Sequence, residues 1–321
     1  MSEAIAHAAA GHRGDPFVVE LSLMLVTPAL FAANMVAARW AESANIPPVF
    51  LAFGRWSLAF LFLLPSVAPS LWRWRHVLLA HWPQLLLLSA LGMGVAVAPQ
   101  YIGARHTSAA NVALIFAACP VLVAIMEATI WKASLDRRQI GGMALAIAGV
   151  LAVLSKGDVV TLSELQFGQG DLWVILAASG WALYTILSRR RLLPPLPGTV
   201  RLAALAAGGA IVLAPFAVVE TVSGAGPDLS DGRLYIALCF LAIVPSLGAY
   251  FFFDRLVALR GAASASIAMY MVPLHATLVA WPLLGEIPQL YHAVGLSFIL
   301  GGVMLASRKR KHATYTRVAQ A

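Results

Sequence analysis

Charge is what this sequence has least of. Of its 321 residues, Asp, Glu, Lys and Arg make up 11%, whereas 60% are hydrophobic; a soluble globular domain carries about 25% charged residues. That balance excludes an ordinary water-soluble fold. Only two cysteines occur, Cys119 and Cys239, both inside apolar runs and without Cys-x-x-Cys or Cys/His spacing. A structural disulfide or a zinc site is not expected, and neither is any metal or cofactor. No Ser/His/Asp, HExxH, DxxD-type or phosphate-loop constellation is present, so nothing points to an enzyme. Residues 1–19 lack a basic segment followed by an apolar one, so no cleaved signal peptide is expected and the first helix itself acts as the targeting signal. Interleaved basic and aromatic residues occur only at Trp72-Arg73-Trp74-Arg75, where anchoring at a membrane interface accounts for them. No nucleic-acid partner is expected.

What is abundant is uninterrupted apolar sequence. Ten segments stand out, at roughly 21–40, 49–68, 82–103, 108–131, 138–155, 171–188, 200–221, 234–257, 262–284 and 290–307. Most approach the ~20 residues that cross a ~30 Å hydrocarbon layer. Runs this long without alternation are helices, because only helices or closed barrels satisfy their backbone in lipid. Of the 22 Lys and Arg, 17 fall in one set of alternate loops and 4 in the other, with Arg55 inside the second segment. By the excess of positive charge on the cytoplasmic side, both termini are cytoplasmic. The expected divisions are a tail at 1–19, a five-helix repeat at 20–155, a periplasmic linker at 156–170, a second repeat at 171–307 and a basic tail at 308–321.

The chain also repeats itself. Shifting it by 153 positions (273 − 120) lays Pro120 on Pro273, Ala109-Ala110 on Ala262-Ala263, Gly142 on Gly295 and Gly149-Val150 on Gly302-Val303. Five helices per copy is an odd number, so the second copy enters the membrane upside down. The fold class is an all-α integral membrane protein of ten transmembrane helices, built as two inverted five-helix repeats.

Several stretches carry a likeness to a known family: Phe31 to Val36, the Phe53-Gly54-Arg55-Trp56 quartet, His106 to Ile115 with Pro120, Ser179 to Tyr184, Ala258 to His275, and Leu283 to Glu286. Together they resemble the drug/metabolite transporter superfamily, EamA type, over about residues 20–307. The resemblance implies export of small organic solutes such as amino acids, metabolites or cationic compounds. It implies a central cavity between the first, third, fourth, sixth, eighth and ninth helices, and an architectural role for Arg55. The chain departs from the family at Lys132-Ala133, where Gly-Glu is usual, and at Glu127 and His275, where apolar residues are usual.

Candidate functional residues follow. Pro120 and Pro273 each remove an N–H, leaving the carbonyls of Phe116 and Met269 without their helical donors; packing kinks and transport hinges are both open. His275 is deep in an apolar run, and intramembrane ionisable groups are functional candidates. A neutral His275 bonded to a neighbouring helix is the plainer alternative. Glu127 shares a face with Pro120 and either snorkels to the cytoplasmic interface or pairs with Lys132, or else attracts a cation or, like His275, serves proton coupling. Asp254 and Arg55, near helix ends, read as paired or snorkelling groups. Asn34, Gln100, Tyr101, Asn111, Trp181, Tyr184, Tyr250, Ser266 and Tyr270, with His275, form the substrate-binding set, because small-molecule sites are apolar with a few converging polar groups.

The function expected is a secondary transporter of the bacterial inner membrane that exports a small organic solute by alternating access. The lipid bilayer is its other partner, with a proton as a candidate co-substrate. A membrane receptor, scaffold or lipid-handling protein is the alternative. A phosphate-ester antiporter would need a Lys or Arg near the midplane, and none is expected there. Gly141-Gly142 and Gly301-Gly302 serve packing within the monomer or across a homodimer.

Overall fold

The computed structural model describes residues 16–132, 137–158, 168–190 and 192–307. Among them every regular element is helical. In chain order these are α1 (Pro16–Ser43), α2 (Pro48–Ala80), α3 (Trp82–Ala104), α4 (Ala109–Ala117), α5 (Cys119–Ile130), α6 (Arg137–Leu154), α7 (Gln169–Arg189), α8 (Gly198–Glu220), α9 (Gly232–Leu241), α10 (Ala249–Ala268), α11 (Val272–Leu284) and α12 (Leu290–Ser307). Six spans are individually long and apolar enough to cross a membrane, and the bent pair α4–α5 makes a seventh. Met269–Leu284 and Leu290–Gly302 are shorter apolar helices.

Three departures from the sequence reading have physical causes. Helix α2 runs 33 residues, well past the expected end near 68, and takes in Pro65, Pro69 and the Trp72–Arg75 stretch. Arg75 there lies over the Trp72 ring at 4.2 Å, so this basic stretch is helical surface and not a loop. The break expected between the eighth and ninth segments near 258–261 is absent, because α10 is helical throughout Ala249–Ala268. Ala262, Ala263, Ala265 and Ala268 are strong helix formers, and Gly261 alone does not end the element. Third, α3 and the α9–α10 junction each contain a π-helical turn, Ala90–Val95 and Ala242–Gly248. Those two turns sit at matching places in the repeats, 153 positions apart to within a residue.

The prolines act as the sequence suggests, by different routes. Pro120 is the second residue of α5 and Pro273 the second of α11. At the first, Ala118 takes φ −83 and ψ −1, its N–H bonds Ile115 O, and α4 and α5 bend by 41°. At the second, one 3₁₀ turn, Met269–Met271, bridges the gap and the Val272 N–H takes the Met269 carbonyl that Pro273 leaves free. Pro120 is exposed and Pro273 buried.

Matched glycines fix how the repeats meet. A Cβ on Gly302 would collide with Gly142 O, and one on Gly149 would sit 2.8 Å from Gly295 O. Gly142 and Gly295 are repeat mates, as are Gly149 and Gly302, so α6 and α12 cross antiparallel, each glycine against the mate of the other. Small residues let membrane helices approach this closely. The packing is within the monomer, which settles the role of Gly142 and Gly302; Gly141 faces open space.

Candidate functional site

The Phe53-Gly54-Arg55-Trp56 quartet on α2 reaches the two matched π turns, Ala90–Val95 and Ala242–Gly248. Gly54 lets α9 close in, since a Cβ there would lie 2.5 Å from a Leu238 methyl. Consecutive helical residues point about 100° apart, so Arg55 and Trp56 aim at different neighbours. A π turn widens the hydrogen-bond ladder and recurs at functional sites. Here both turns accept from α2. Trp56 Nε1 donates to Met93 O at 3.0 Å in the first turn. Arg55 Nε donates to Ser246 Oγ at 2.6 Å, and Arg55 Nη2 reaches Pro245 O at 3.5 Å, both in the second.

The other side of the guanidinium is equally occupied. Arg55 Nη1 donates to Asn34 Oδ1 at 2.6 Å and to Tyr101 OH at 2.8 Å, and Tyr101 OH in turn donates to Asn34 Oδ1 at 2.8 Å. Asn34 Nδ2 donates to Gln100 Oε1 at 3.3 Å. Arg55 is 4% exposed, Gln100 3% and Tyr101 2%. No carboxylate balances the charge: the ion pairs among the described residues are Arg39–Glu42, Arg39–Glu286 and Arg233–Asp231. The amide nitrogen of Gln100 is buried with no hydrogen-bond partner. Aromatic rings wall the cluster, with Arg55 4.6 Å over the Trp56 ring, Trp56 6.5 Å from Tyr250, and Tyr250 5.9 Å from Phe31.

The expected site residues therefore divide. Asn34, Gln100 and Tyr101 come together, and Tyr250 joins them through Trp56. Trp181 and Tyr184 stack at 5.2 Å on α7, with Tyr184 packed against Gly92 of the first π turn. Tyr270 packs elsewhere, beside Leu114, Val121 and Ile299. The Ser266 side chain lies outside the described residues. His275 is half-buried and donates from Nδ1 to Met271 O of its own helical turn at 2.8 Å, not to a neighbouring helix. Glu127 is half-exposed and forms no ion pair with Lys132 among the described residues. Arg55 neither snorkels nor pairs with an acid. A buried cation, Arg55, lies between the repeats, contrary to the expectation that no Lys or Arg would be found there.

Asn111 belongs to a second polar cluster at the Glu286 end of the bundle. Gln289 N donates to His292 Nδ1 at 3.0 Å, so the other nitrogen, Nε2, carries the proton and donates to Asn111 Oδ1 at 3.2 Å. Asn111 Nδ2 then donates to Thr107 Oγ1 at 3.1 Å, and Thr107 Oγ1 to Asp171 Oδ1 at 2.7 Å. Nearby, Glu286 accepts from Ala109 N at 2.9 Å, at the start of α4, and lies 3.4 Å from Arg39 Nε. Carboxylates suit helix N-termini, and Glu220 does the same for α2, accepting from Phe50 N at 2.7 Å. Val36, Ala109 and Ala280 form a small apolar cluster beneath Glu286. Burial raises the Glu286 carboxyl above its usual value, against the lowering effects of the Ala109 N–H and Arg39. Ser246, His292 and Glu220 are not among the sequence candidates. The adjacent Pro245-Ser246 pair inside an apolar run is the signal that would have marked the first.

Two copies of one sequence-family pattern span the chain, at residues 19–155 and 168–308, and the pattern is that of the EamA-like transporter family. The chain belongs to that family. An uncharacterized transporter of Archaeoglobus fulgidus is 29% identical over 83% of this chain and 90% of its own length. A probable terminal-alkyne amino-acid exporter of Streptantibioticus cattleyicolor is 26% identical over 71% of this chain and 73% of its own. An S-adenosylmethionine/S-adenosylhomocysteine transporter of Chlamydia trachomatis serovar L2 is 25% identical over 71% and 70%. A crystal structure of 19% identity shares the fold, with a TM-score of 0.58 over 89% of this chain and 96% of the other. The EamA chain is thus a membrane protein whose relatives are transporters.

Proposed function

We propose that this EamA protein is a secondary transporter that exports a small organic solute by alternating access through a cavity where its two repeats meet. The solute class is that of amino acids, amines or related metabolites. Ten spans, in two inverted halves at 20–155 and 171–307 joined by an outer linker at 156–170, would place both termini in the cytoplasm of a bacterial inner membrane. The observation that carries the reading is the pairing of breaks. Each repeat interrupts one helix at a matched proline and another at a matched π turn, and α2 holds both π turns through Arg55 and Trp56. Broken helices at a repeat interface are where such folds bind their cargo. The relatives named for amino-acid and S-adenosylmethionine transport support the solute class. A receptor or scaffold has no need for duplicated breaks. Pro120 and Pro273 serve as hinges in this reading, and His275 and Glu127 remain the groups through which a proton would couple.

The test is transport by the purified chain in liposomes, with labelled amino acids, amines and nucleosides. Movement of at least one class above protein-free liposomes supports the reading, and movement of none contradicts it. Comparing wild type with His275→Ala and Glu127→Gln under an imposed pH gradient then tests coupling; unchanged gradient dependence in a variant removes that residue from the role.

A further inference from the structure

We propose that Arg55, together with Gln100, is the anchor for a carboxylate on the transported solute. The assignment rests on the transport reading and names the chemistry of its site. Buried charges are paired with a counter-charge or bound to a metal ion, yet the partners of Arg55 are all neutral: Asn34 Oδ1, Tyr101 OH, Ser246 Oγ and Pro245 O. A guanidinium carries five N–H donors. Nε and Nη1 are engaged at 2.6 to 2.8 Å, whereas Nη2 makes only the 3.5 Å approach to Pro245 O. One more buried donor in the same network lacks an acceptor, the Nε2 of Gln100, which is tied to Arg55 through Asn34.

The network is therefore short of one negative charge and of acceptors for two kinds of N–H. A carboxylate supplies both, with two oxygens in a plane that matches the guanidinium fork. A phosphate ester, with nearly two charges, would find only this single cation. The aromatic wall of Trp56, Tyr250 and Phe31 beside it suits the apolar part of a small acid. The Arg55–Ser246 bond also spans the two repeats. A solute carboxylate that displaces Ser246 from the guanidinium would loosen the second π turn from α2, so binding and repeat movement share one contact.

Counterflow in liposomes containing the full chain tests this, using labelled leucine, threonine and methionine beside their carboxamides. Wild type should prefer the acid over its amide by about tenfold or more, the worth of a charge-assisted bidentate pair. Arg55→Gln should abolish that preference, and Arg55→Lys should restore part of it. Gln100→Leu, which removes the unpartnered N–H together with the acceptor for Asn34 Nδ2, should raise the KM for the acid severalfold. If Arg55→Gln does not run as a monodisperse peak, the KM of Gln100→Leu decides alone: a rise supports the anchor and an unchanged value overturns it. A wild type that moves amide and acid equally well, or variants that keep the wild-type preference, overturn the anchor while transport itself stands. If wild type moves none of these solutes but moves a labelled amine or nucleoside, the anchor falls while transport stands; if it moves none of the labelled solutes of either panel, both fall.

Discussion

The Pro120 and Pro273 regions are the same device executed twice, and they differ at each step. The first bends by 41° and leaves its proline exposed; the second closes the gap with one 3₁₀ turn and buries its proline. Further along, α11 ends on Gly285 at φ 69, followed by the capping Glu286. The matched position after α5 is Lys132, also at a positive φ of 57, followed in sequence by Ala133. The backbone demands a left-handed residue in both places, but glycine, which adopts it without strain, was kept in only one. Ala133 has no carboxylate with which to cap anything. Two capping acids, Glu220 and Glu286, join the repeats at the Glu286 end, and their positions 153 residues earlier are Val67 and Ala133. Neither Val67 nor Ala133 can supply such a cap at the mated positions.

That contrast can be broken at several points. The largest effect should come from the antiparallel glycine crossing. Gly302→Leu has backbone in the way and should abolish a monodisperse peak in size-exclusion chromatography, whereas Gly141→Leu, facing open space, should leave it unchanged. Next, Pro120→Ala returns a helical N–H to the Phe116 carbonyl. It should slow transport about fivefold, the worth of one hydrogen bond of ~1 kcal/mol. Pro273→Ala should have a similar effect, because the Phe116 and Met269 carbonyls each already accept from an N–H of the tightened turn at the break.

A smaller, pH-dependent effect is expected at Glu286. Its carboxyl is raised by burial, so its favourable contribution to stability is complete below the ordinary value of 4.5 and is lost as pH rises through the raised one. Glu286→Gln keeps an acceptor for Ala109 N and should match or slightly exceed wild-type thermal stability at pH 7. That gain should vanish near pH 4. Lowest in size, Lys132→Gly should raise the melting temperature by about 2 °C by relieving ~1 kcal/mol of left-handed strain.

Much of this was legible in the sequence, for reasons tied to particular residues. The duplication, the apolar runs and the proline breaks all leave local marks, since Pro120 and Pro273 act on their own helices. The meeting of Asn34, Gln100 and Tyr101 was legible as a set of polar residues in apolar segments. Arg55 was visible too, but distance along the helix says nothing of which way a guanidinium turns. What turns it is a π turn in the other repeat, and no residue type spells such a turn as proline spells a kink. Likewise Asn111 and His292 are 181 positions apart; only the fold joins them. His275 shows the converse, a conspicuous residue that bonds its own turn.

The proposed alternating access requires the repeats to part, and Glu286 of the second repeat holds the first at Ala109 N. That requirement is tested most directly by a reversible lock. With Cys119→Ala and Cys239→Ser as background, Ala109→Cys and Leu284→Cys place two thiols where α4 and α11 meet beside Glu286. Cross-linking them should reduce counterflow in liposomes to the level of protein-free vesicles, and reduction should restore it. Full counterflow through the cross-linked protein would contradict the account.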